Sequence, residues 1–88
     1  MQDLEGKVAV VTGAGSGIGE GIARAAAASG MKVVVADIDL AKAQAVASSL
    51  GEQAMACGVD VSSLASVEAM RDAALERFGS VHLLCNNA

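Results

Sequence analysis

The sequence contains no tyrosine, no tryptophan and a single phenylalanine among its 88 residues. A core without aromatic bulk must be built from Val, Ala, Leu, Ile and Met, which suits helices packed closely on a parallel sheet. Positive charge is also scarce: the formal net charge is -4, which argues against a nucleic-acid surface. No uncharged apolar stretch approaches the ~18 residues of a membrane span. No basic, apolar, small-residue signal opens the chain, so no leader is expected. The two cysteines, Cys57 and Cys85, lie far apart in apolar runs. With no C-x-x-C spacing and no His partner, they read as small core hydrophobes rather than a disulfide or metal pair. The expected compartment is the cytosol. The length bounds the chain to one domain at most, short for a doubly wound fold and marginal in core.

What is abundant is glycine, with ten residues. Five of them occupy alternate positions from Gly13 to Gly21. The stretch Thr12-Gly13-Ala14-Gly15-Ser16-Gly17-Ile18-Gly19 follows the apolar run Val8-Ala9-Val10-Val11 and leads into an alanine-rich segment. That order predicts a buried strand, a tight turn and a helix start. A turn with almost no side chain lets backbone approach a ligand closely. The first helical amides lack intrahelical partners and carry the positive end of the macrodipole, which suits a phosphate. The first reading is therefore a nucleotide pyrophosphate site.

The spacing is not the G-x-G-x-x-G fingerprint, because Ile18 and Glu20 stand where its last Gly is required. It is T-G-x-x-x-G-x-G, on Thr12, Gly13, Gly17 and Gly19. At these residues the sequence resembles the short-chain dehydrogenase/reductase family.

Along the chain, the pattern predicts β1 over Lys7 to Thr12 and a helix from about Gly17 to Ser29, stopped by Gly30. Ile18, Ile22, Ala25 and Ala26 are its expected inward residues. Lys32 to Asp37 is a second strand, buried on both faces. Asp39 caps a second helix, Leu40 to Leu50, which Gly51 ends. Gln53 to Val59 is a weaker third strand. Ser62 or Ser63 caps a third helix with Leu64, Val67, Met70, Ala74 and Phe78 on one stripe, and Gly79 stops it. Val81 to Cys85 is the fourth strand. His82 is expected to be packed or edge-exposed rather than catalytic.

The order βαβαβαβ implies parallel strands with right-handed crossovers. Two crossovers in one direction put two helices on one face. Placing the third helix on the other face requires the fourth strand to lie beside the first. The expected fold is α/β, a partial Rossmann-like doubly wound parallel sheet of order 3-2-1-4. Its switch point lies between the first and fourth strands, flanked by the glycine loop and Asn86-Asn87.

Asp37 closes the second strand 18 residues after Gly19, near the offset of a ribose-binding acid. It can accept from both ribose hydroxyls of an adenosine and repels a 2′-phosphate. Ser16 and Ile38, the neighbours expected at that phosphate, are not basic, and Lys32 lies about 17 Å away at strand rise. NAD is therefore expected in preference to NADP. The family resemblance adds further roles. It implies that Asp60 accepts from the adenine amino group and that the Val61 amide meets the ring. Asn86-Asn87-Ala88 matches the family's N-N-A-G motif as far as its Ala, which implies that Asn86 braces the sheet and Asn87 lies beside the cofactor ribose. The expected cofactor-binding set is Gly13, Gly15, Ser16, Gly17, Ile18, Gly19, Asp37, Asp60, Val61 and Asn87, with no metal site.

The resemblance covers the chain but only the cofactor half of a family domain. The family's catalytic groups are a Ser, a Tyr-x-x-x-Lys pair and an Asn on a later helix. This sequence has no Tyr, so residues 1–88 are expected to bind a cofactor without catalysing the reaction. Two alternatives stay open: a methyltransferase fragment binding S-adenosylmethionine, and a non-catalytic nucleotide-binding or subunit-interaction fragment. The fourth strand reads as an interior strand but falls at an edge. In the family a further strand pairs beside it. Self-association or a complementing segment is expected there.

Overall fold

The computed structural model describes residues 4–87. Residues 1–3 of the expected lead-in, and Ala88 of the Asn-Asn-Ala stretch, lie outside the described residues. The elements run β1 (Val8–Thr12), α1 (Gly17–Ala28), β2 (Lys32–Asp37), α2 (Leu40–Leu50), β3 (Ala54–Gly58), α3 (Leu64–Phe78) and β4 (Leu83–Asn86). All pairings are parallel and the sheet order is β3-β2-β1-β4, as the crossover argument required.

Alternation along the two central strands divides the core. Ala9, Val11, Val33 and Val35 point to one face, where they meet Ala23 and Ala27 of α1 and Ala43, Val46 and Ala47 of α2. Val10, Val34 and Ala36 point to the other, against Met70 and Ala74 of α3. β1 is buried along its whole length, and β2 is buried from Val33 to Ala36. This is the continuous apolar pattern of strands covered on both sides.

Helix ends follow the capping residues. The Asp39 carboxylate accepts from the Lys42 amide at 3.2 Å, and the Ser63 hydroxyl accepts from the Ser66 amide at 3.2 Å. Gly79 ends α3 in the left-handed conformation at φ 85°, its amide bonded to the Leu75 carbonyl at 2.8 Å. That conformation is cheap for glycine and costly for other L-residues.

Three details depart from the pattern reading. The inward face of α1 is Gly19, Ala23 and Ala27, with Ile22 and Ala26 at its flanks, whereas Ala25 is exposed and Ile18 is 76% exposed. The phase is fixed at Gly19, which lies against the Gly13 carbonyl with no room for a Cβ. Steps of four from Gly19 then define the buried stripe. On α3 the stripe meets the sheet only from Val67 onward, so Leu64, one turn earlier, is 73% exposed. The fourth strand starts at Leu83 rather than Val81 because His82 replaces a ladder rung. The Val8 amide donates to His82 Nδ1 at 3.0 Å while the His82 amide donates to the Val8 carbonyl at 2.9 Å.

Candidate functional site

The carboxyl ends of all four strands converge on one cavity of about 240 Å³. Thr12 and Gly13 come from the end of β1, Asp37 and Ile38 from β2, and Val59, Asp60 and Val61 from β3. Asn87, just past β4, closes the set. Five of the expected site residues, Gly13, Asp37, Asp60, Val61 and Asn87, therefore face a common space.

Thr12 ties β1 to β4. Its hydroxyl donates to Asn86 Oδ1 at 2.8 Å and accepts from the Asn87 amide at 3.1 Å. The chain turns immediately at Gly13, whose φ is 64°. A Cβ there would run into the Asn87 carbonyl, and one on Gly19 would run into the Gly13 carbonyl and stand 3.0 Å from Asn87 Nδ2. Backbone packing thus requires glycine at both positions, and at Gly13 the positive φ requires it as well. Gly19 is buried behind Gly13 rather than in the cavity. The loop is pinned to β2 by the Ala14 amide, which donates to the Ala36 carbonyl at 2.9 Å.

Gly15 is buried and donates its amide to Asp37 Oδ2 at 2.9 Å. The other carboxylate oxygen, Oδ1, accepts from the Asp39 amide at 2.9 Å. A carboxylate has about four lone-pair sites, so Asp37 keeps acceptor capacity on both oxygens. Ser16, Gly17 and Ile18 form the exposed outer rim of the loop. Ser16 occupies the N-cap position of α1 without a side-chain capping bond. The start of the helix thus keeps amides uncapped by a side chain and a hydroxyl free to turn outward. The acid of the first turn, Glu20, is paired with Arg24 at 2.8 Å.

Asp60 lies on the far wall, at the mouth of α3. Its Oδ1 accepts from the Ser62 hydroxyl at 2.6 Å and the Ser62 amide at 3.0 Å, and its own amide donates to Ser66 Oγ at 2.9 Å. The Ser62 hydroxyl, and after it the Ser62 amide, hold the Asp60 carboxyl below its ordinary value. Val61, beside it, and Ile38, across the cavity, are 45% and 78% exposed. Apolar side chains open at a cavity rim offer surface to a flat apolar ligand.

Sequence reasoning left Val59 out of the site and treated Ile38 only as a non-basic neighbour. It also overlooked Lys42, whose Cβ would stand 2.7 Å from a Cβ built on Gly15. Nothing in the local pattern signals this contact, because it joins the loop to the first turns of a different helix. Cys57 and Cys85 are both free thiols, partly buried on β3 and β4, and burial pushes the Cys57 thiol up. A larger open hollow of about 600 Å³ runs past Ser48, Glu52, Met55 and Arg77 and contains none of the candidate residues.

The family model described as short chain dehydrogenase matches residues 7–88. The chain belongs to the short-chain dehydrogenase family, and its relatives include dehydrogenases and a putative oxidoreductase. Galactitol 2-dehydrogenase of Agrobacterium fabrum is 48% identical over 85 residues, covering 97% of this chain and 33% of that protein. The 7alpha-hydroxysteroid dehydrogenase of Escherichia coli is 44% identical over 88 residues, covering 97% of this chain and 34% of that protein. A 3-ketoacyl-(acyl-carrier-protein) reductase from Brucella melitensis, solved with NADH, superposes with a TM-score of 0.90 at 52% identity. That match covers 92% of this chain and 34% of the reductase. A short chain dehydrogenase/reductase from Burkholderia phymatum, solved with NAD, gives 0.90 at 47% identity, covering 96% and 31%. The chain spans about a third of the length of the curated relatives it matches. No helix among the described residues is long and apolar enough to cross a membrane.

Proposed function

We propose that residues 1–88 are the N-terminal, NAD-binding part of a short-chain dehydrogenase/reductase, an oxidoreductase acting between an alcohol and a carbonyl. The observation that carries this reading is the cavity where four strand ends meet, with the Asp37 carboxylate at its rim. Its residues suit the adenosine half of a dinucleotide. Asp37 accepts from the ribose hydroxyls with its remaining lone pairs, and Ile38 and Val61 flank the adenine. Asp60 takes the adenine amino group beside the Val61 amide. The loop from Gly13 to Gly19 and the uncapped start of α1, with Ser16, hold the pyrophosphate. Asn87 lies on the side of the second ribose. The NADH and NAD held by two solved relatives support a nicotinamide dinucleotide here. When bound, the nicotinamide supplies the hydride chemistry. Residues 1–88 contain no Tyr to move the carbonyl proton, so this chain by itself is expected to be inactive. Two free cysteines suit a reducing, cytoplasmic setting.

The test is a set of dissociation constants for NAD, NADP and S-adenosylmethionine on the wild type and Asp37→Ala. NAD is expected to bind best. A hydrogen bond to a charged group contributes about 1.5–3 kcal/mol, so Asp37→Ala should weaken NAD roughly tenfold or more and narrow its lead over NADP. Tighter NADP than NAD on the wild type would sink the ribose role of Asp37. Preference for S-adenosylmethionine would replace the whole reading with a methyltransferase.

The outer edge of β4 supports a second element of the proposal. Leu83 and Leu84 are 46% and 58% exposed on a strand that, among the described residues, pairs only with β1. Such an edge recruits another strand, so the chain is expected to self-associate or take up a complementing segment. A cooperatively folding monomer in micromolar sedimentation experiments would contradict this.

A further inference from the structure

Three parts of the chain meet at Gly15. A Cβ placed there would stand 2.7 Å from the Lys42 Cβ and 2.9 Å from Asp37 Oδ2. The stem of Lys42, near the start of α2, is thereby rooted against the glycine loop next to the acid that ends β2. The surrounding polar groups are already engaged. The Lys42 amide is held by Asp39, and the Asp37 oxygens are held by the Gly15 and Asp39 amides. The Lys42 ammonium itself makes no ion pair among the described residues. A hydrated point charge on a flexible four-carbon stem is thus free to move over the rim that Asp37 occupies.

We infer that Lys42 is a second determinant of cofactor choice, opposing Asp37 at the adenosine ribose. The inference rests on the proposed role of Asp37. The two charges act on one substituent with opposite sign. A pair of neutral hydroxyls gains from the carboxylate and little from the ammonium. A 2′-phosphate is repelled by the carboxylate and attracted by the ammonium. The preference for NAD is then a graded balance set by two residues on different elements, and NADP is disfavoured without being shut out. Gly15 makes the balance possible, because any side chain there would push the lysine stem and the acid apart.

The probes are 5′-AMP and adenosine 2′,5′-bisphosphate, which differ only in the 2′-phosphate. Their dissociation constants are measured on wild type, Lys42→Gln and Lys42→Arg at low and high salt, with circular dichroism confirming the fold. An exposed charge pair is worth up to about 1 kcal/mol. Lys42→Gln should therefore weaken the bisphosphate about threefold to fivefold and leave 5′-AMP nearly unchanged. Lys42→Arg should retain the wild-type ratio, and high salt should erase the difference. Equal weakening of both probes, or an unchanged ratio, overturns the role of Lys42 while leaving the cofactor site standing. Failure of NAD and both probes to bind the wild type overturns both readings.

Discussion

The two faces of the sheet are packed in different ways. On the α1/α2 face the helices contribute mainly alanine, with Ala23, Ala27, Ala43 and Ala47 against Val11, Val33 and Val35. Short side chains bring helix backbone close to strand backbone, and at Gly13 and Gly19 the approach is complete. On the α3 face the contacts come from longer, more adaptable groups. Met70 is buried, Phe78 is partly buried, and Leu75 remains 42% exposed. The ring of Phe78 is itself flanked by Lys32 and Arg77, at 5.8 and 5.2 Å from its centroid. The closely packed face holds the glycine loop and supports Asp37, whereas the looser face carries Asp60. Loop position is thus set by backbone contact, which tolerates little adjustment, and the far wall by side chains that can re-pack.

Growing a side chain on the close face should have the largest effect. Ala23→Leu forces α1 off β1 and should cost about 3 kcal/mol in urea unfolding, the upper part of the range for overpacked cores. A loss below about 1 kcal/mol would show that α1 has room and that the faces do not differ. Met70→Ala removes the principal buried contact of α3. It should cost about 2 kcal/mol, the low end for such truncations, because this face can collapse toward the gap. A larger loss than for Ala23→Leu would reverse the comparison.

The smallest effect belongs to Asp60. Its folded carboxyl is held below the unfolded value by Ser62. The stability this confers is fully present above the unfolded value and is lost as pH falls through the folded one. The wild-type melting temperature should therefore exceed that of Asp60→Asn slightly at neutral pH and lose that lead as the pH falls below about 4. Parallel acid profiles would show that the Ser62 bonds do not couple to folding.

Most of the fold was legible because it follows from order and handedness. Three crossovers, two of them on one face, leave β1 and β4 adjacent whatever the side chains are. The strands were legible because Val8 to Val11 and Val33 to Ala36 are apolar without interruption. The phase of α1 was not, since periodicity weighs Ile18 above Gly19, whereas close packing favours the residue with no side chain. The start of β4 was missed because an imidazole nitrogen takes the place of a backbone carbonyl at Val8, and no spacing rule encodes that. In the candidate site, the turn and acids were visible as local patterns. Lys42 was invisible because its proximity to Gly15 depends on how α2 returns over the loop.

The Thr12–Asn86–Asn87 junction has a consequence for the order of assembly. Its partners are separated by 74 and 75 positions along the chain. Closing so long a loop must be offset before the contact gives anything back, and distant parallel pairing is intrinsically slow. A polypeptide leaving the ribosome presents the glycine turn early and Asp37 soon after, at about 5–20 residues per second. Asn87 emerges last. Until β4 docks, Thr12 has no partner across the seam and the cavity lacks a wall. The nucleotide pocket is completed only when β4 docks, so a captured ligand reports that this strand is in place.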